Sequence, residues 1–440
     1  MRRLTAAGIV LTGLSCLALG LLAVWSRTNR MEEIKPLAIG VLAVAVLVYF
    51  AAVREVLHPR ERNRGVWMVL IVALALRLPL LFAPPFLSSD IYRYVWDGRV
   101  QAAGFNPYSF VPADPALAAL RDDAIYPYIN RAGYAHTIYP PAAQIVFAAV
   151  GQISQTVLAE KLAMAAFEAL AIACGLGLLR LARLPSERLL IYAWNPLAVW
   201  SFACDGHVDA AAIGLLAGAL LLRCRGRDGW AGVVFGAAVL IKFLPLAIGP
   251  ALWRRGPGWR LALCGSLAIL VLYACYAGAG WGVLGFLPGY RTEEGIDSGR
   301  GVWLLAGLEL LNALPAWAAI AYGGIVLSGL AVYALWIMTR PPAEMDVVRV
   351  CGFAAVLMTS VTAAISPHYP WYFAWLALPA IVTPSRVTVW LSAAPMVLYL
   401  TPSDSHFVWP SLVYAPALVL ALADLRGMLH TPPIPAQGFS

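Results

Sequence analysis

The sequence predicts an all-α polytopic membrane protein, and three observations carry that reading. Of 440 residues, 61% are hydrophobic and 12% charged, whereas a soluble chain carries roughly 25% charge. Mean hydropathy is +0.76. Apolar runs of spanning or near-spanning length recur from one end of the chain to the other. So little charge cannot coat a water-facing fold, and the same arithmetic excludes disordered, collagen-like and disulfide-stapled classes.

The runs fall at about 4–25, 37–53, 66–82, 139–157, 162–181, 189–203, 210–222, 231–253, 261–278, 316–338, 347–365, 371–383, 387–400 and 411–425. The first follows Met1-Arg2-Arg3 and is about 20 residues long, enough to span. With a second run close behind, it reads as a transmembrane helix with a cytoplasmic N-terminus rather than a signal peptide. No appended soluble domain is visible, so residues 1–440 are expected to form one membrane domain of about 12–14 crossings. Several runs are short for a bilayer, which implies tilted or interrupted helices.

Arginine placement orients the bundle. The short basic loops Arg54–Arg64, Arg180–Arg188, Arg223–Arg227 and Arg254–Arg260 are expected inside. The long segment 83–138 carries Asp90, Asp97, Asp114, Asp122 and Asp123 and is expected outside. Beyond it, Gly282–Gly301, Ser366–Tyr372 and Thr401–Pro410 read as outer, and Arg340–Arg349, Ser385-Arg386 and Arg426 as inner. Two stretches break this parity. A single crossing at 231–253 would put two basic loops on opposite sides, and Lys242-Phe243-Leu244-Pro245 interrupts that run midway. A re-entrant hairpin fits better. One of the two runs between 139 and 181 is likewise re-entrant or fused with its neighbour.

The formal charge of +8 comes from three lysines and twenty-eight arginines set against the acidic residues. The arginines sit in gaps between apolar runs, where they meet lipid headgroups. No basic run interleaved with aromatics suggests nucleic acid. The seven cysteines show no Cys-x-x-Cys and read as small packing residues.

The outer segment is the most informative. In Asp90-Ile91-Tyr92-Arg93-Tyr94-Val95-Trp96-Asp97-Gly98-Arg99-Val100-Gln101 the polar residues Asp90, Arg93, Asp97 and Gln101 recur at helical steps. Tyr92, Trp96 and Arg99 make a face suited to the membrane–water boundary. The pattern predicts an interfacial helix lying flat on the bilayer with two carboxylates on one side, closed by Gly104-Phe105-Asn106-Pro107. A solvated face with Arg93 pairing both aspartates fits the same periodicity. A site that deprotonates a hydroxyl beside an anionic leaving group needs this kind of carboxylate and cation pairing.

Four of six histidines, His136, His207, His368 and His406, fall near expected outer helix ends. They lie in or near motifs rich in proline, glycine and aromatics, including Asp205-Gly206-His207-Val208-Asp209 and Ser366-Pro367-His368-Tyr369-Pro370-Trp371-Tyr372. Lone histidines in loops are ordinarily polar caps, but three such motifs on one side suggest a shared polar site. Lys242, deep in an apolar run, is a functional candidate by its cost, with snorkelling from the hairpin tip as the plain alternative. Arg77 and Glu168 also lie in apolar runs and could pair. No spacing demands a metal, no cofactor is expected, and phosphate-binding loops and nucleophile elbows are absent.

Taken in order, these motifs resemble those of GT-C glycosyltransferases. The closest subgroup is the bacterial polyprenyl-phosphate-mannose-dependent mannosyltransferases (glycosyltransferase family 87-like). The resemblance rests on Ser89-Asp90-Ile91-Tyr92-Arg93-Tyr94 through Gly104-Phe105-Asn106-Pro107-Tyr108, Tyr139-Pro140-Pro141, Trp194-Asn195-Pro196-Leu197, Gly206-His207-Val208-Asp209, Lys242-Phe243-Leu244-Pro245 and His368-Tyr369-Pro370-Trp371-Tyr372. It covers about residues 66 to 375. Two departures stand out: Tyr369 is inserted before the proline of the histidine motif, and Val208 replaces the usual asparagine.

The resemblance implies an inverting transfer of a hexose, mannose first, from a polyprenyl-phosphate-linked donor to a hydroxyl of a glycan, glycolipid or protein acceptor. It implies a site on the outer face of a bacterial cytoplasmic membrane. Asp90 matches the catalytic base; Arg93, Asp97, Tyr139, His207, Asp209, Lys242, His368 and Tyr372 are the expected substrate-binding residues. The rival readings are a secondary transporter or lipid-linked sugar flippase, which would show internal repeats and midplane polar residues, and a non-catalytic scaffold.

Overall fold

The structure is a computed structural model that describes residues 2–28, 31–58, 65–312, 314–341, 346–401 and 405–430. Parts of three expected loops, 59–64, 342–345 and 402–404, lie outside the described residues, as do the side chain of Arg426 and residues 431–440. Among the described residues the secondary structure is all helical, as the composition predicts.

The helices that position the site are α1 (Arg2–Thr28), α2 (Met31–Leu57), α3 (Val66–Leu81), α4 (Asp90–Ala102), α5 (Pro141–Ile153), α6 (Val157–Leu181), α7 (Asp209–Cys224), α8 (Asp228–Ile241), α9 (Gly258–Ala274), α10 (Ala318–Thr339), α11 (Val347–Ile365), α12 (Arg386–Ala393) and α13 (Val408–His430). Six of the described helices are long and apolar enough to cross a bilayer, and eight spans result if each of two sharply bent pairs counts as one. The bent pairs are Pro196–Cys204 with Asp209–Cys224, at 119°, and Gly258–Ala274 with Ala277–Glu293, at 108°.

Length and composition therefore give fewer crossings than the twelve to fourteen expected. The difference lies in shorter apolar helices, Val66–Leu81, Pro141–Ile153, Asp228–Ile241 and Arg386–Leu400, and in runs that proline breaks into 3-10 turns, such as Pro370–Leu376. α5 is only about 20 Å long by helical rise, well short of a ~30 Å hydrocarbon core. It is the short member of the 139–181 pair.

The segment after α7 turns back on itself. α8 ends at Lys242, whose backbone is extended. A 3-10 turn over Leu244–Ile248 and a short helix over Gly249–Leu252 then lead the chain back. Arg254 Nη1 meets Asp228 Oδ2 at 3.1 Å with both side chains buried. The two ends of 228–254 thus lie together and Lys242 sits at the far tip.

The core is one large apolar cluster built from most of the helices. Several of its buried polar groups are paired, as low-dielectric surroundings favour, although both Glu160 carboxylate oxygens are buried without a hydrogen-bond partner. Arg77 and Glu168 do meet, at 2.7 Å, and Arg77 also donates to the Ala193 carbonyl at 2.7 Å, clipping α3 to α6. Asn195, fully buried, caps the short helix after it by accepting from the Leu197 and Ala198 amides at 3.0 and 3.2 Å. Its amide donates to the Ser392 carbonyl at 3.0 Å. The Trp-Asn-Pro-Leu motif is thus a structural joint.

The helix α4 forms where the periodicity places it, but Arg93 and Asp97 of its polar stripe are buried rather than solvated. Arg93, Tyr94, Trp96, Asp97 and Gly98 are all buried. Trp96 belongs to a small separate core with Val95, Val100, Leu117, Ile125 and Ile129. The segment after α4 folds over the aromatic face that the pattern assigns to the bilayer boundary. Gly98 lets α4 cross α5 at backbone contact: a Cβ there would collide with the Phe147 carbonyl.

Candidate active site

A cavity of about 480 Å³ opens at the N-terminal end of α4. Segments remote in sequence build it, and three of them carry both of its carboxylates and Lys242. The first is the turn into α4. Asp205 Oδ1 accepts from the Phe86 and Leu87 amides at 3.0 and 3.1 Å, which holds the approach to Ser88, Ser89 and Asp90. The second is the bend Asp205–Asp209. Gly206 has φ +65°, and a Cβ on it would strike Ile91, so only glycine permits the turn that brings His207 and Asp209 beside α4. The third is the hairpin tip carrying Lys242.

Two carboxylates line the cavity, and they differ in company. Asp209 Oδ1 is 2.6 Å from Lys242 Nζ, and that ammonium also sits 3.4 Å from the centroid of the Tyr372 ring. Asp90 has no such short pair. Its Oδ2 lies 3.7 Å from His207 Nδ1, and 27% of its side chain is exposed, facing the cavity it lines. Burial pushes the Asp90 carboxyl up to about 6; Lys242 and Arg131 oppose the shift and Asp209 adds to it. A carboxylate poised near neutrality, with an open side, is suited to accept a proton.

The walls are aromatic. Tyr139 stands edge-on to Tyr94 at 4.9 Å, and Tyr369 stacks on Trp371 at 4.9 Å. Tyr372 and Tyr290 approach through their hydroxyls at 3.3 Å. Over the mouth, Arg131 reaches Glu293 at 2.5 Å and Glu294 at 3.7 Å, while Tyr369 donates to Glu294 at 2.8 Å. Apolar side chains, Ile241, Phe243, Leu244, Phe286 and Leu287, complete the lining. Among the described residues no three His, Cys, Asp or Glu side chains gather as metal ligands would.

Of the residues expected at the site, Asp90, Arg93, Tyr139, Asp209, Lys242 and Tyr372 line the cavity together; Asp97, His207 and His368 do not. Asp97 is two helical turns, about 10 Å, along α4 from Asp90. Its carboxylate is tied to Arg93 at 2.8 Å and to Gln144 at 2.7 Å. His207 is fully buried, stacked on Trp371 at 3.9 Å, and backs Asp90 rather than facing the cavity.

His368 lies against His406, ring centroids 4.6 Å apart. Burial and that neighbour lower its pKa to about 4, so it is neutral at pH 7. The residues after it, Tyr369, Trp371 and Tyr372, take the cavity wall instead. Among the four outer-end histidines His136 lines the cavity. Sequence reasoning missed Asp205, Arg131, Tyr94 and Tyr290. Arg131 takes a left-handed φ of +57° within an irregular loop, and no local pattern marks it.

Comparison with known proteins identifies the family. Alpha-(1->6)-mannopyranosyltransferase A of Mycobacterium tuberculosis (strain ATCC 25618 / H37Rv) is 23% identical over 445 aligned residues, which cover 89% of this chain and 80% of that one. No solved structure matches. Residues 4–253, more than half of the chain and including the turn into α4, the Asp205–Asp209 bend and the hairpin tip, match the MptA_B family, described as alpha-(1->6)-mannopyranosyltransferase, N-terminal domain. The chain belongs to that family and is a membrane-embedded glycosyltransferase.

Proposed function

We propose that the protein is an inverting mannosyltransferase in which Asp90 deprotonates an acceptor hydroxyl while mannose leaves a polyprenyl-phosphate carrier. One observation carries the reading: of the two carboxylates lining the cavity, Asp209 is occupied by Lys242 and Asp90 is left open toward the space where a substrate fits. In the transfer, the acceptor oxygen bonds to the anomeric carbon as the bond from that carbon to the phosphate oxygen breaks. The electron pair leaves with the phosphate, and the acceptor proton passes to Asp90.

The leaving group is already an anion, so it needs cations and hydrogen-bond donors more than a proton. Lys242 and Arg93, both lining the cavity, supply positive charge; Asp209 and the Tyr372 ring aim the ammonium. The tyrosines and Trp371 offer faces and hydroxyls to the sugar. The apolar side chains beside Lys242 suit the first isoprene units of a lipid carrier. His207 backs Asp90 and steadies its carboxylate. The charge pattern of the loops supports an outward-facing site on the cytoplasmic membrane, with the acceptor a mannose-bearing glycan or glycolipid as the relative's name suggests.

The test is to incubate purified protein with a panel of polyprenyl-phosphate sugars and a mannoside acceptor, and to analyse lipids and products by mass spectrometry. Consumption of the mannose-loaded carrier alone is expected. Equal use of a nucleotide sugar, or none of the lipid donors, would overturn the donor assignment.

A further inference from the structure

A second cavity of about 550 Å³ lies between the C-terminal end of α2 and the N-terminal end of α12, with α13 behind it. It is remote from the active site. Lys35, near the start of α2, interacts electrostatically with Asp205. Arg54 is about five turns farther on, roughly 28 Å along the same helix. On the other wall, Tyr399 reaches Ser201 at 3.4 Å near the site, whereas Arg386 begins α12 at the opposite end of that segment.

The floor is apolar. Phe50 and Trp390 stack at 5.6 Å, 20° from parallel, and Val53, Leu57, Val389 and Leu420 add to it. The rim is basic. Arg54 and His58 are exposed, and Arg386 is 70% exposed, held at 3.6 Å by Asp424, the rim's one acidic contact among the described residues. The groove continues onto the outward faces of α2 and α13, where Leu47, Leu422 and Leu425 are more than half exposed. An occupant must therefore combine hydrocarbon, to lie along those faces, with an anionic head between two guanidinium groups. Both rim arginines belong to loops whose charge places them on the cytoplasmic side, where anionic lipids and basic inter-helix pockets meet.

We propose that this groove is a binding site for an anionic phospholipid of the inner leaflet, its phosphodiester between Arg54 and Arg386 and its chains along Phe50, Trp390 and Leu420. The proposal stands apart from the transferase chemistry, since it uses none of the cavity residues.

The experiment is native mass spectrometry of the full chain titrated with phosphatidylglycerol, phosphatidylcholine or polyprenyl phosphate. It compares the wild type, Arg54→Ala/Arg386→Ala, and Arg260→Ala/Arg349→Ala, which removes the same charge from exposed sites elsewhere. Thermal unfolding confirms that each protein is folded, and Arg54→Lys/Arg386→Lys restores charge without the planar fork. The expected result is a preference for phosphatidylglycerol over phosphatidylcholine that weakens about fivefold for each rim arginine lost, recovers in large part with lysine, and changes less than twofold in the control pair. No preference for the anionic lipid, equal weakening by both alanine pairs, or stronger retention of polyprenyl phosphate would each overturn it.

Discussion

Two positions of α4, two turns apart, carry the same residue type and face the same way round the helix, yet their surroundings differ. At the N-terminal end Asp90 opens into the cavity with an imidazole at 3.7 Å and no short ion pair. Two turns along, Asp97 is 1% exposed and bonded to Arg93 and Gln144; Gln144 continues to Gln101, and Gln101 to Tyr276 at 2.7 Å. The first environment buries a carboxylate's charge and leaves it open to the cavity. The second ties each carboxylate oxygen to a neighbour, one on α4 itself and one on α5. Helical periodicity cannot separate them, because seven residues are almost two whole turns. The neighbours brought by distant segments do.

This contrast can be broken by substitution. Asp90→Asn keeps shape and removes basicity, so kcat should fall by about 10²–10⁴ while thermal unfolding stays close to wild type; a kinetic and unfolding comparison checks both. Lys242→Gln keeps a donor for Asp209 and removes the cation. It should lower kcat by about 10²–10³, the usual cost of losing one preorganised donor to a developing anion, and lower the unfolding temperature as well, because Asp209 stays buried without its cation.

Acid provides a gentler break. As the proposed base, Asp90 would have to be ionised to act, and its carboxyl is held up at about 6. The rate kcat/KM should therefore fall roughly tenfold per unit below that pH. Removal of Lys242, which opposes the shift, should move this limb to higher pH. The smallest kinetic effect belongs to Asp97→Asn. It should cost less than about threefold in kcat, but stability should drop by up to about 3 kcal/mol, the lower end for breaking a buried pair, because Arg93 keeps the Ala135 carbonyl and the cavity edge.

Much of this arrangement was legible in the chain. The 3.6-residue period located α4, and the interruption at Lys242–Pro245 located a tip whose flanks, Asp228 and Arg254, do come together. What escaped was set by partners far apart in sequence. Asp205 holds amides 119 and 118 residues away, and Arg131 binds a carboxylate 162 residues away. Neither relation leaves a local signature. Amphipathicity reports which side of α4 is apolar and not what covers it; here the segment after α4 covers the aromatic face. A run of apolar residues does not reveal where proline turns it into a 3-10 corner, so fewer helices pass the length test than there are runs.

The most direct test of the account sets the two carboxylates against each other in a single-turnover experiment. Asp90→Asn and Asp97→Asn proteins, each preloaded with polyprenyl-phosphate mannose and checked for donor binding, are mixed with acceptor and the transferred mannose is followed in time. The account predicts full donor binding in both, transfer slowed by about 10²–10⁴ in Asp90→Asn, and transfer within about threefold of wild type in Asp97→Asn. Near-normal transfer by Asp90→Asn beside a dead but folded Asp97→Asn would contradict it and move the base two turns along the helix.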